Sequence, residues 1–346
     1  MASKALAPNV CHDAPPRQNV PVADGRPTLL LVGDESDDHG GWTRHRIERR
    51  YRLLSVPAGG GGQAVVPSGA RGVVTFQEAA ADRALSLAEG AGLPTAALWT
   101  VVRRRAAATR GDTPSTPFGG SAPGTALTAV VVSAVVDGVP SPLFVARPEG
   151  EAGDSGYVVE AADPLLRHGG VAGAVRAAHR EPGVRGGLTA TEVHVAGRGA
   201  GRQAAYSRVF GLLGTDPLLR AGSLATGIDC PMVWADLAAG AEPDPTPRRN
   251  GAAAVRFTGS EPEHPFAAAD LDVHELPGGI WEIHPIAAGN SAGERGPASR
   301  VLFAVAVGED AVACRRALDL ASGTLRLRHR PRPTDTDERN QRRTHA

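Results

Sequence analysis

Lysine is nearly missing from this sequence: Lys4 is the only one among 346 residues, and the remaining permanently basic side chains are arginines. A GC-rich codon bias accounts for the preference, but the chemical consequence is the same whatever its origin. Lysine carries a compact ammonium on a flexible stem and commonly binds phosphates in nucleotide enzymes, and no such group is available beyond the first few residues. Cysteine is scarce as well. Cys11, Cys230 and Cys314 lie far apart and form no Cys-x-x-Cys pair, so neither a disulfide framework nor a thiolate zinc site is implied, and a reducing cytoplasm is the expected compartment. The 37 basic side chains are balanced by 37 acidic ones, which removes the phosphate-tracking surface expected of a nucleic-acid binder. No apolar run approaches membrane-spanning length; residues 130–136, interrupted at Ser133, are a strand-sized segment. Residues 1–24 are rich in Pro, Ala and polar side chains without the apolar centre of a signal peptide, so neither secretion nor membrane insertion is expected.

What is present is enough apolar material, 42% of the chain, for a core divided between two or three domains of ordinary size. Residues 28–33 (TLLLVG) form a continuous apolar run ending in glycine, the pattern of a buried parallel strand reaching a turn. A charged stretch at 42–50 fits a helix, 51–56 (YRLLSV) a second strand, 73–76 (VVTF) a third, and 77–91 a helix stopped by Gly92 and Pro94. This order predicts a small open α/β domain over residues 27–105. Residues 103–125 combine an arginine run with Thr, Pro, Ser and Gly and predict a mobile linker, with 106–125 as its centre. Beyond it, residues 129–136 and 141–146 are β-rich runs joined through Asp137-Gly138, a dipeptide suited to a hairpin because both residues tolerate positive φ. Further strands are expected at 188–195, 253–257, 273–284 and 301–307, with helices at 171–179 and 311–322. The polar leader at 1–26 and the charged, Pro-containing tail at 329–346 are expected to be disordered.

Few residue groupings suggest chemistry on their own. The Gly run at 59–62 lacks the Gly-Lys-Ser/Thr ending of a P-loop and is expected to be a turn. His274, Glu275, Glu282 and His284 flank one predicted hairpin turn, and Glu282 with His284 would share a strand face, as a metal site requires. Surface His and Glu on paired strands are far more common than zinc sites.

Four segments carry a resemblance. GVVTFQEAAADRALSLAEGAGLP (residues 72–94) is similar to the end of the N-terminal domain of ATP-grasp carboxylate–amine ligases, and GLTATEVHVAGRGAGRQAAYSRVFG (187–211) to their metal-binding strands. Residues 225–257 resemble the segment that follows, and SRVLFAVAVGEDAVACRRALDLA (299–321) the closing strand and helix. In that family a glutamate on one strand and a Glu-x-Asn pair on the next hold the Mg²⁺ ions that bridge ATP phosphates, and an arginine two positions further contacts substrate or phosphate. Laid on this chain without a gap, the resemblance assigns Glu192 to the metal and Arg208 to catalysis. It places Ala204 and Tyr206 where the second glutamate and the asparagine belong, with Glu192, Ala204 and Tyr206 turned toward one centre. It also implies a phosphate-binding subdomain with two lysines and a Gly-rich lid, in whose place stands the short segment 103–125. Residues 145–156 (VARPEGEAGDSG) are superficially similar to that lid, with Arg147 at the lysine position, but align better with the later hairpin.

The resemblance therefore implies an α/β fold in which a Rossmann-like N-terminal domain precedes a truncated ATP-grasp-like α+β region at 126–328. Three functions stay open. One is a ligase-derived pseudoenzyme; another is a working ligase that uses ATP and Mg on a small-molecule carboxylate or amine, less often a thiol, through Glu192 and Arg208. The third is an accessory protein partner of a complete ATP-grasp enzyme, associating through Trp234, Met232 and Leu237.

Overall fold

The computed structural model describes residues 25–33, 41–59, 66–94, 127–149, 156–180, 186–197, 203–259, 278–285 and 300–327. The predicted linker at 106–125, nearly all of the leader, the tail, Gly60, His274 and Glu275 lie outside the described residues.

The first apolar run forms β1 (Thr28–Val32), with β2 (Arg52–Val56) and β3 (Ala70–Val74) parallel to it on either side. Every residue of β1 is buried because both of its faces are covered: Leu29 and Leu31 belong to one apolar cluster, Leu30 and Val32 to another. Helix α1 (Trp42–Ile47) is shorter than the charged stretch suggested. Helix α2 (Ala81–Ala91) places Ala81, Ala84 and Ala88 at helical spacing against the Leu30 face and ends at Gly92, whose φ of 62° is the left-handed cap expected there.

The larger sheet has eight strands in the order β10-β11-β9-β6-β5-β4-β7-β8, every neighbouring pair antiparallel. In chain order its elements are β4 (Leu127–Val136), β5 (Val139–Glu149), β6 (Gly156–Glu160), α3 (Gly169–His179), β7 (Gly187–Ala196) and β8 (Gln203–Gly211). There follow α4 (Pro217–Thr226), α5 (Cys230–Ala238), β9 (Ala252–Gly259), β10 (Ile280–Pro285), β11 (Arg300–Gly308) and α6 (Ala311–Leu327). The β4–β5 turn is Asp137-Gly138 with φ of 50° and 81°, the conformation that dipeptide was expected to supply.

Strand alternation sorts the side chains into two layers. Val145 and Val193 pack beneath α3, and Val158, Ala254 and Ala306 beneath α6, all on one face of the sheet. The opposite face carries Phe144, Leu188, Ala190 and Phe303, and merges with α4, α5 and the Leu29 side of the small sheet into a single cluster. Trp234, at 1% exposure, lies inside this cluster, with Met232 and Leu237 partly buried against it. These three residues therefore build core rather than an exposed association surface, which corrects the sequence-based expectation.

Helix α5 fastens the small sheet to the large one. Asp236, 1% exposed, accepts bonds of 2.8 Å from Arg50 Nη1 at both oxygens and one of 2.6 Å from the Tyr51 hydroxyl. Burial and this carboxylate together push the Tyr51 phenol well above its ordinary value. Gly72 on β3 approaches α5 so closely that a Cβ there would lie 1.9 Å from the Ala238 carbonyl oxygen, a separation only glycine tolerates.

Candidate functional site

Val193 and Val195 of β7 point into the α3 layer, so Glu192 and His194 stand on the other face, the side of α4, α5 and the small sheet. Across the strand pair, Glu192 faces Arg208 but Val193 faces Tyr206, so Ser207 is the extra residue of a bulge in β8. One extra residue reverses the facing of everything before it. Ala204 and Tyr206 consequently pack with Val193 and Val195 beneath α3, away from Glu192. The expectation that Glu192, Ala204 and Tyr206 share a centre is wrong; the β8 residues on the Glu192 face are Ala205, Ser207, Arg208 and Phe210.

The structure does bring Glu192 and Arg208 together. Ser207 Oγ donates to Glu192 Oε1 at 2.7 Å, and Arg208 Nε donates to Oε2 at 2.7 Å. His194 Nε2 lies 3.4 Å from Oε1, and its Nδ1 is 3.2 Å from the Thr128 hydroxyl of β4. The Arg208 guanidinium also lies 5.7 Å from the centre of the Phe210 ring. Burial alone would push the Glu192 carboxyl up; the Ser207 hydrogen bond and the Arg208 charge, with a smaller contribution from His194, outweigh it and hold the group below its usual value. Glu192 is therefore a carboxylate at neutral pH.

This donor set does not fit Mg²⁺. The ion requires six hard oxygens in near-octahedral array, yet among the described residues Glu192 is the one carboxylate here, and a guanidinium already occupies it. Among the described residues no group of three or more His, Cys, Asp and Glu converges on a point that would hold a metal. Arg147, considered at a phosphate-binding position, instead donates to both oxygens of Asp163 at 2.7 and 3.0 Å, and Asp163 caps the short helical turn that follows it.

Glu282 and His284 share one face of β10, with 3.2 Å between His284 Nε2 and Glu282 Oε2. The carboxylate contacts the guanidinium of Arg220 from α4, which in turn lies 4.7 Å over the Trp42 ring of α1. An arginine in that position makes the pair a link between the edge strand and the core rather than a metal site. Arg220 and Glu282 are 62 residues apart, and no local sequence signal connects them. The sequence also contains a Gly-x-Ser-x-Gly pattern at Gly289, Ser291 and Gly293, outside the described residues; alone it carries no assignment, because its chemistry depends on a strand-to-helix turn.

No family model and no curated protein matches the sequence. Solved structures do match. An L-amino acid ligase from Bacillus licheniformis superposes with a TM-score of 0.58 at 12% identity, over 85% of this chain and 97% of that one. A phosphoribosylglycinamide synthetase from Anaerococcus prevotii gives 0.52 at 12% identity, over 86% and 98%. A multifunctional pyruvate carboxylase from Rhizobium etli gives 0.55 at 14% identity, over 86% of this chain and 33% of the carboxylase. Identities of this size establish architecture rather than activity, and the architecture these proteins have in common with the present chain is the ATP-grasp fold.

Proposed function

We propose that this protein is a ligase-derived pseudoenzyme: an ATP-grasp fold, with a Rossmann-like N-terminal domain at 27–105 and a grasp region at 126–328, that does not itself carry out Mg-dependent ligation. One observation carries the reading. Glu192, the residue the resemblance assigns to metal, is an anion already neutralised by Arg208 and hydrogen-bonded by Ser207, while Ala204 and Tyr206 turn away from it. A divalent ion would have to displace a guanidinium to gain a single carboxylate, a poor exchange for a strongly hydrated cation. The lack of lysine after Lys4 supports the same conclusion for the triphosphate. A protein of this kind would keep a surface for a small molecule or a protein partner, in the cytoplasm.

Isothermal calorimetry with ATP and Mg²⁺ tests the reading, and no saturable heat is expected at micromolar ligand. A second reading, an active ATP-dependent carboxylate–amine ligase with a rearranged site, draws support from the adjacency of Glu192 and Arg208 on the face shared with the small sheet. Micromolar binding of ATP·Mg²⁺ that weakens in Glu192→Gln would favour this second reading and sink the first.

A further inference from the structure

We propose that Glu192, Ser207 and Phe210 form a receptor for an organic cation, an ammonium or guanidinium group on a small molecule, and that Arg208 is its built-in occupant. The inference rests on the reading above, that Glu192 is not a metal ligand, and names what the site takes instead.

The two halves of the ion pair are unlike. The Glu192 side chain is 16% exposed and the Arg208 side chain 66%. The acceptor is therefore fixed on a paired strand and held by Ser207, while the donor is largely in water. Beside the carboxylate lies the Phe210 ring, on the same face because Phe210 pairs with Ala190 just as Arg208 pairs with Glu192. The Arg208 guanidinium lies 5.7 Å from that ring and 2.7 Å from Glu192 Oε2. One anion with one aromatic face is a recurrent means of holding an organic cation. Such ligands need one charge-assisted hydrogen bond and an apolar face, where Mg²⁺ needs several hard oxygens. His194 and Thr128 extend the polar floor toward β4 and offer hydrogen-bonding groups to the remainder of the molecule.

An exposed arginine–carboxylate pair is weak, so a tethered arginine lowers the affinity for a competing cation by roughly fivefold or less. Removing it should unmask the site. The test uses the full chain and agmatine, a guanidinium compound with a free amine, titrated by calorimetry into the parent protein, Arg208→Ala and Arg208→Ala/Glu192→Gln. Arg208→Ala should bind agmatine about two- to fivefold more tightly than the parent, the double variant should lose that binding, and millimolar Mg²⁺ should not compete. If Arg208→Ala destabilises the fold, Arg208→Gln takes its place. No saturable agmatine heat in an Arg208 variant that melts like the parent overturns the proposal, as does displacement of agmatine by Mg²⁺. The first result leaves the pseudoenzyme reading standing; micromolar ATP·Mg²⁺ binding by the parent removes that reading on its own.

Discussion

Tyr206 sits opposite Val193, not opposite Glu192, and this pairing sends its ring beneath α3 while the carboxylate faces the other way. The offset arises from Ser207, the one residue by which β8 exceeds its partner. Attempts to build a metal site around Glu192 must therefore begin from a different pair of positions.

Ala204→Glu/Tyr206→Asn places polar groups into the layer under α3 and should create no cation site. Loss of the Tyr206 packing and burial of the new side chains should cost about 2–4 kcal/mol. Ala205→Glu/Ser207→Asp puts both carboxylates on the Glu192 face, where a millimolar divalent ion should raise the melting temperature. Thermal unfolding with and without Mn²⁺ distinguishes the two designs, and a metal-dependent shift in the first would restore the unbulged register.

The Glu192 carboxyl titrates below its unfolded value, so in acid the unfolded chain takes up a proton before the native one does. Its contribution is complete above the ordinary glutamate range, near pH 4.3, and is lost as pH falls through the lower, native value. Because Arg208 is mostly in solvent, the contribution should stay under about 1 kcal/mol. Urea unfolding at pH 6 and pH 3 should show a smaller acid-induced loss in Glu192→Gln than in the parent.

His179 shifts in the same direction for a different reason. Its Nδ1 lies 2.8 Å from the Val175 carbonyl and its Nε2 2.9 Å from the Thr189 hydroxyl, and burial lowers its pKa despite the Val175 contact. The unfolded histidine takes up a proton near pH 6.5 while the native one does not, so stability should fall as pH drops below that value. In His179→Gln, overall stability should be lower, but its slope between pH 7.5 and pH 5.5 should be flatter.

Asp236 is the buried acceptor for Arg50 and Tyr51, and Asp236→Ala should cost about 2 kcal/mol or more because the Tyr51 hydroxyl is left inside without a partner. Arg50→Ala should cost less than about 1 kcal/mol, since that side chain is half in solvent. Denaturant midpoints measured on both variants check the order; equal losses would mean the charge, rather than the hydroxyl, carries the link.

How far the sequence foretold these relationships depended on how local the signal was. Residues 28–32 predicted a buried strand because an apolar run covered on both faces needs no alternation, and Asp137-Gly138 predicted its turn because the two residues meet the φ requirement themselves. The bulge at Ser207 was less visible, since a gap-free alignment assumes a strict period of two. A trace existed: a strict period of two would put charged Arg208 in the apolar layer beside Tyr206. Helix α4 was not predicted, although Asp216 before Pro217 and Gly227 at its end, with φ of 74°, are local signals of its bounds; its contact with Glu282 has no local signal because Arg220 and Glu282 are 62 positions apart. The predicted linker at 106–125 remains an expectation, because it lies outside the described residues.

The cluster that joins Leu29, Leu31, Val74 and Phe76 to Trp234 and Ala238 also governs how the chain unfolds. Apolar surface shared between two sheets is lost by both at once, so melting one exposes the flank of the other. A fragment cut near residue 126 would carry Trp234 and the α5 flank into water, a sticky patch that favours aggregation over independent folding. Calorimetric melting of the intact chain should accordingly give one transition, despite the change of architecture partway along the sequence.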